Sequence, residues 1–247
     1  MSKLMKRLHQ ICDCSSPPMG FKKGAVQPDR HMALLVSLPQ GRRSMAGSLD
    51  LAEIDAVLFH GSDLAGAGLQ EVSGVLSETP WGAWLGAGES PDLEQMMEAG
   101  GDFIALESPL AAAGLLQEDV GSILKVDLSG DRFLLSAMSD LPVGAVLMGL
   151  GQGKGGLTVA DLMRCQWLAS LLDKPLLVAA NQELSDKEMR LIWDMGVSGI
   201  VVEVADDKGK EVLARESRMI KDLPPRSRKR SEDRVLLPSI DVESDED

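Results

Sequence analysis

The sequence has few aromatic residues. It contains no tyrosine, four phenylalanines and four tryptophans, so aromatic side chains make up 3% of its 247 residues. The hydrophobic fraction is nevertheless 44%, which is ordinary for a globular protein with a sizeable core. Leucine, valine, methionine and alanine must therefore build most of that core.

Cysteine and histidine are also scarce, with three residues of each type. Three cysteines in a chain of this length do not form a disulfide framework. Cys12 and Cys14 stand as Cys-Asp-Cys, but with three histidines they make no recognisable ligand set for a structural metal ion. Cys165 has no histidine near it in the sequence, which favours a core position over a role as a nucleophile.

Long apolar runs are absent as well. No segment approaches the ~18 consecutive apolar residues that a membrane span needs. The first twelve residues, MSKLMKRLHQIC, lack the apolar segment of a secretory signal. We therefore expect a cytoplasmic protein that does not insert into a membrane.

Positive charge is in the minority, because 25 Lys and Arg face 38 Asp and Glu and the net charge is −13. Nonspecific binding to nucleic acid needs a basic face. An acidic protein of this composition is therefore not expected to have nucleic acid as its partner.

Short apolar segments recur along the middle of the chain, and each is too short for a helix. Most are almost continuously apolar, as strands covered on both faces should be. Stretches with helical patterns separate them, which predicts an α/β fold, a compact (β/α)8 TIM barrel. An open doubly wound sheet is the alternative, but no glycine-rich dinucleotide fingerprint follows the first strand. The eight predicted strands are 32–38, 56–61, 81–86, 103–107, 122–128, 145–150, 175–181 and 199–204.

The helical stretches carry recognisable starts. Ser90 stands at an N-cap position before a proline, which is favoured in the first turn. Thr158 and Asp161 have the spacing of a capping box, and so do Ser185 and Glu188. These pairs predict helices after the third, sixth and seventh strands.

The two ends differ in composition from the middle and define the predicted domains. Residues 1–30 form an N-terminal extension: a short amphipathic helix, which packs under the barrel floor or against a partner, and a Pro/Gly/Ser-rich connector. Residues 31–223 form the barrel. Residues 224–247 combine a basic run with an acidic end and are predicted to be a disordered charged tail. Either end could recruit a protein partner, and the pattern is compatible with an oligomer.

The polar residues inside the strands raise the question of function. Side chains alternate between the two faces of a strand, and the outer face of a barrel strand must be apolar. In the fifth strand Leu124 and Val126 therefore face the helices, which turns Lys125 and Asp127 inward. The same rule places Glu107 of the fourth strand and Glu203 of the eighth inside the barrel.

Each of these residues lies near the carboxyl end of its strand, where the active sites of barrel enzymes are built. His60 and Asn181 end the second and seventh strands. The sequence thus predicts a polar mouth with Lys125 beneath it. We expect catalytic roles for Lys125, Asp127 and Glu107, and substrate-binding roles for His60, Asn181 and Glu203.

Three interpretations of Lys125 remain open. It could form a buried structural ion pair with Glu107 or Asp127, since buried charges must be paired. It could form a Schiff base or assist proton transfer, with a neighbouring carboxylate as the acid–base group. The carboxylates could instead hold Mg²⁺, with Lys125 as the base.

A glycine-rich segment, GLGQGKGGLT at 149–158, follows the sixth strand and leads into a capped helix. Glycine lets backbone N–H groups approach an anion, so Gly153, Lys154 and Gly155 are further candidates for substrate binding. The spacing is not that of a Walker A loop. A plain linker is the alternative.

These features favour a lyase- or isomerase-like enzyme acting on a small anionic carbonyl or carboxylate compound. Barrels host many unrelated reactions, so the fold alone does not choose among them. The alternative is an inactive barrel that serves as a scaffold through its charged ends.

Overall fold

A computed structural model of the chain describes residues 2–14, 30–76, 78–86, 92–107, 119–127, 137–151, 156–180 and 183–225. Eight parallel strands form a closed barrel in sequence order, which confirms the predicted TIM-barrel fold. Each strand begins within one residue of its predicted start. The strands are β1 (Ala33–Leu38), β2 (Ala56–His60), β3 (Trp81–Leu85), β4 (Phe103–Glu107), β5 (Gly121–Val126), β6 (Ala145–Gly149), β7 (Leu176–Ala180) and β8 (Gly199–Glu203).

Six α-helices are described, and short 3-10 helices follow β1 and β2. The α-helices are α1 (Lys3–Cys14), α2 (Ala67–Val75), α3 (Leu93–Glu98), α4 (Val159–Leu171), α5 (Asp186–Asp194) and α6 (Asp207–Lys221). None of these described helices is long and apolar enough to cross a membrane. The predicted tail, from residue 226 onward, lies outside the described residues.

The helix starts agree with the sequence in two cases and differ in one. Both predicted capping boxes are present, at Thr158 before α4 and at Ser185 before α5. The predicted N-cap at Ser90 is wrong, because Asp92 caps α3 and accepts hydrogen bonds from the backbone N–H groups of Glu94 and Gln95. Asp92 is as good a capping residue as serine and lies nearer the apolar helical run.

Two apolar layers hold the structure together. The larger layer lies between the outer faces of the strands and the surrounding helices. The smaller one fills the barrel and includes four side chains of α1. Its buried members are Leu4, Met5, Leu8, Ile11, Ala33, Leu35, Ala56, Leu58, Phe103, Ala105, Ile123, Ala145, Leu147, Leu177 and Val201.

Helix α1 closes the amino-terminal end of the barrel. The inward residues at the start of several strands are small, and they leave the space that α1 fills: Ala33, Ala56, Gly121, Ala145 and Gly199. A Cβ atom at Gly121 would lie 2.7 Å from Ser2 Oγ, and one at Gly144 would lie 2.4 Å from Met5 Sδ. Glycine is therefore required where the helix comes nearest to the barrel.

Polar contacts fix α1 in this position. Asp102, just before β4, accepts hydrogen bonds from Ser2 Oγ at 2.6 Å and from the backbone N–H groups of Lys3 and Leu4 at 2.6 and 2.9 Å. A carboxylate at a helix amino terminus also interacts favourably with the helix dipole. Of the two placements that the sequence left open for this helix, packing under the barrel floor is the one observed.

Candidate functional site

A cavity of about 550 Å³ opens at the carboxyl ends of the strands. Residues from β1, β2, β3, β5, β6, β7 and β8 and the turns that follow β1 and β6 surround it. They are Ser37, Leu38, Pro39, Gln40, His60, Trp84, Lys125, Leu147, Gly149, Leu150, Ala179, Val201 and Glu203. Of the predicted site residues, His60, Lys125 and Glu203 line this cavity.

Lys125 is held by Glu107 of the adjacent strand β4 and by Trp84 of β3, the next strand along. Its Nζ atom lies 2.8 Å from Glu107 Oε1 and 4.8 Å from the ring centroid of Trp84. The sheet register places Lys125 beside Glu107, and both side chains point into the barrel. An ion pair and a cation–π contact therefore act on the same ammonium group.

The ion pair is not buried, which argues against the first of the three interpretations of Lys125. The Lys125 side chain is 42% exposed and the Glu107 side chain is 31% exposed. Lys125 is the fifth of six residues in β5, so its long side chain reaches the open end of the barrel rather than its packed interior. A half-exposed pair contributes little to stability, and its position at a cavity leaves it accessible to a ligand.

His60 is oriented by a short hydrogen-bonded chain that the sequence did not reveal. Gln40 Nε2 donates to Ser62 Oγ at 3.1 Å, and Ser62 Oγ lies 2.9 Å from His60 Nδ1. Because the amide nitrogen can only donate, the Ser62 hydroxyl can direct its own hydrogen toward Nδ1.

Glu203 and Asp127 occupy different positions at the mouth. Glu203 ends β8 and lines the cavity, and within the described ranges no other residue forms a hydrogen bond or ion pair with its carboxylate. Asp127 follows β5 immediately and is exposed, but the cavity lining does not include it. Glu107 is not part of the cavity lining, but its ion pair with Lys125 places it next to a residue that is.

The predicted anion-binding loop is described only at its two ends. Gly153, Lys154, Gly155 and Asn181 lie outside the described residues. At the first end Asp161 Oδ1 accepts from Gly151 N at 3.0 Å. At the second end Asp161 Oδ2 accepts from Thr158 Oγ1 at 2.6 Å, and Glu188 Oε1 accepts from Leu157 N at 2.9 Å. The acidic residues of both capping boxes thus also hold the loop.

Electrostatics keep both of these carboxylates ionised. Burial tends to raise the pKa of Asp161, but hydrogen bonds from Thr158 and Gly151 outweigh it, so the pKa lies below its usual value. Hydrogen bonds from Ser185 and Leu157 likewise lower the pKa of Glu188. Both groups are therefore fixed negative charges at the mouth end of the helices.

Three of the described helix amino termini at the mouth end are occupied by the chain's own carboxylates. Asp161 serves α4, Glu188 serves α5, and Asp206 Oδ1 accepts from Gly209 N at 2.9 Å in the first turn of α6. In many barrels the helix amino termini after the seventh and eighth strands bind phosphate. Here those positions already hold an anion, which agrees with the acidic sequence after both strands.

A metal site is not evident in the described parts of the chain. Among those residues, no three or more histidines, cysteines, aspartates or glutamates are grouped closely enough to hold a metal ion. The predicted binding of Mg²⁺ by Glu107, Asp127 and Glu203 thus has no assembled ligand group there. The role of Mg²⁺ stays a prediction.

No protein-family model matches the chain, and no curated protein matches it. Solved structures do. Orotidine 5'-phosphate decarboxylase from Pyrococcus horikoshii OT3 is 14% identical, with a TM-score of 0.56 over 76% of this chain and 100% of that one. For 3-keto-L-gulonate-6-phosphate decarboxylase from Vibrio cholerae the identity is 13%, with a TM-score of 0.61 over 78% of this chain and 99% of that one.

Tryptophan synthase from M. tuberculosis, in a ligand-free form, is 15% identical, with a TM-score of 0.61 over 90% of this chain and 100% of that one. All three are TIM-barrel enzymes. At these identities the likeness shows the fold alone, because barrels of this kind host many unrelated reactions.

Proposed function

We propose that the chain is a lyase- or isomerase-type enzyme that acts on a small carbonyl or carboxylate compound in the cavity at the barrel mouth. The observation that carries this proposal is the Lys125–Glu107 ion pair, 2.8 Å long, with Lys125 Nζ facing the cavity over Trp84. A cation beside a carboxylate in an accessible cavity is a suitable acid–base pair for a carbonyl substrate.

In the route that we favour, Lys125 Nζ donates hydrogen bonds to the oxygen of the substrate carbonyl. Glu107 removes a proton from the carbon next to that carbonyl, and the electron pair moves onto the oxygen as an enolate. The lysine stabilises the developing negative charge. Return of the proton to a different atom gives an isomerase, and departure of a group from the neighbouring carbon gives a lyase.

A covalent route uses the same residues. Lys125 first transfers a proton to Glu107, and its neutral nitrogen then attacks the carbonyl carbon. Loss of water gives a Schiff base, which withdraws electrons from the adjacent carbon. Reduction with borohydride traps this intermediate, so the two routes are distinguishable.

The other predicted site residues have supporting roles in this proposal. His60 presents a hydrogen-bond donor toward a substrate oxygen, and Asp127 exchanges protons with solvent at the rim. The binding roles of Gly153, Lys154, Gly155 and Asn181 are retained as predictions. Two solved neighbours are named as decarboxylases of phosphorylated compounds, and decarboxylases are lyases, which is in keeping with the lyase-type reaction proposed here.

Proton exchange in D₂O tests the proposal without knowledge of the natural substrate. NMR would follow deuterium incorporation next to the carbonyl of pyruvate, 2-oxobutanoate and 2-oxoglutarate. We expect the wild type to accelerate exchange for at least one of them, and Lys125→Met and Glu107→Gln to lose about 100-fold or more. Lys125→Arg keeps a cation but cannot form a Schiff base, so activity in that variant would assign the non-covalent route.

Lys187→Met, an exposed lysine of α5, serves as the matched control and should behave as wild type. A folded Lys125→Met protein with undiminished exchange would contradict the proposal. If no compound exchanges and a protein partner is captured only when residues 226–247 are present, the scaffold alternative is correct.

A further inference from the structure

One wall of the cavity is apolar. It runs from β5 through β6 and β7 to β8, and its lining residues are Leu147, Gly149, Ala179 and Val201. A Cβ atom at Gly149 would have no other atom within 4 Å, so this wall opens directly onto free space. Lys125 stands at one end of the wall and Glu203 at the other.

The charges at the two ends are not equivalent. Lys125 is already compensated by Glu107 and by the ring of Trp84. Glu203 has no such compensation among the described residues, although it lines the cavity. Among the described residues that line the cavity, Glu203 is therefore the carboxylate that can attract a cationic group.

Three helix amino termini in the described part of the mouth are poorly suited to a phosphate group. The amino termini of α4, α5 and α6, where a phosphate would be stabilised by backbone N–H groups, each hold a carboxylate of the chain. Replacing such an internal carboxylate with a phosphate would break capping hydrogen bonds. The described mouth thus differs from what the names of the two decarboxylase neighbours imply for their substrates.

We infer that the cavity binds a short zwitterionic compound, with a carboxylate directed to Lys125 and an ammonium group directed to Glu203. The aliphatic segment between the two charges lies along the apolar wall past Gly149 and Ala179. The role of Lys125 in this inference rests on the proposed function, and Glu203 adds recognition of a positively charged nitrogen. The substrate class is then an amino-acid-like compound rather than a phosphorylated sugar.

A length series of simple probes tests the inference. Calorimetric titration would use ω-amino carboxylates of two to six carbons, the alkanoates and alkylamines of matched length, and inorganic phosphate. We expect one chain length to bind at least tenfold more tightly than either matched singly charged compound. The preferred length then reports the separation of the two charged groups.

Single substitutions test which residue binds each charged group of the probe. Glu203→Gln should weaken binding of the preferred amino carboxylate about tenfold and leave the matched alkanoate unchanged, whereas Lys125→Met should weaken both. Gly149→Val should weaken every probe, because its side chain would fill the wall. Glu211→Gln, an exposed carboxylate of α6 outside the cavity, is the control and should change nothing.

Two results would overturn the inference. In the first, the alkanoate binds as tightly as the amino carboxylate at every length. In the second, phosphate binds more tightly than all of the amino carboxylates. Either result leaves the proposed function standing if alkanoate binding still depends on Lys125, so the two proposals fail separately.

Discussion

The amino-terminal end of the barrel is sealed by α1, whose four apolar side chains enter the interior and whose first turn is bound by Asp102. The carboxyl end instead leaves a cavity of about 550 Å³ with a half-exposed ion pair beside it. Apolar burial at the floor supplies stability, while the mouth carries charges that are still partly solvated. Residues at the mouth can therefore change with little effect on the fold.

The largest effect on stability is expected at the amino-terminal end of the barrel, where α1 packs. Leu4 and Leu8 of α1 are fully buried, and truncation of a buried leucine typically removes about 2–5 kcal/mol. We expect the double variant Leu4→Ala/Leu8→Ala to lose roughly 5 kcal/mol of unfolding free energy or more, since both sites share one core. Urea denaturation followed by circular dichroism would measure it.

Gln10→Ala on the exposed face of the same helix is the control and should leave stability nearly unchanged. If the double leucine variant were as stable as this control, α1 would not be part of the core.

The second-largest effect on stability is expected at Glu216, on the inner face of α6. This side chain is 1% exposed, and neither carboxylate oxygen has a well-formed hydrogen bond among the described residues. Burial raises its pKa from 4.5 to about 7. The folded state therefore retains the proton to higher pH than the unfolded chain does, and stability falls as pH rises from about 4.5 through about 7.

Glu216→Gln stays neutral at every pH. Relative to the wild type, we expect its unfolding free energy to increase by about 3 kcal/mol between pH 4.5 and pH 8. Denaturation curves across this range would show it, with Glu211→Gln as the exposed comparison. A difference that does not change with pH would mean that Glu216 is ionised in the folded protein.

The smallest effect is expected at the mouth. Lys125→Met removes a half-exposed ion pair, and the new side chain can still pack on Trp84, so stability should change by no more than about 1 kcal/mol. Thermal and urea denaturation of this variant and of Lys125→Met/Glu107→Gln would measure it. A loss of about 3 kcal/mol would indicate a desolvated pair and would remove the contrast with the floor.

The alternation of residues along each strand predicted which face of the barrel Lys125 lies on. It did not predict how far its side chain extends toward solvent. Alternation along β5 was enough to turn Lys125 inward, because the outer face of a barrel strand must be apolar. Its partner could not be chosen between Glu107 and Asp127, since the register that sets Lys125 beside Glu107 depends on how the barrel closes.

Contacts between distant segments were the least predictable. The hydrogen bonds that link Gln40, Ser62 and His60 connect segments that follow different strands, and no local sequence pattern predicts them. The burial of Glu216 was also missed, because the charged sequence of α6 hides which of its faces meets the barrel. The small residues at the strand starts, such as Ala33 and Ala145, were the available signal for the place that α1 fills.

Asp161 and Glu188 each cap a helix and also bind residues next to the segment 152–155. This affects where the chain can accept an insertion. Asp161 binds Gly151 and Thr158, and Glu188 binds Leu157, so the points where the segment 152–155 leaves and rejoins the barrel are fixed by helix caps. The entropy of closing a loop grows slowly with its length, by about 0.6 kcal/mol for each doubling. A longer insertion between these anchors would therefore cost little stability, and it would begin close to the cavity-lining residues Gly149 and Leu150.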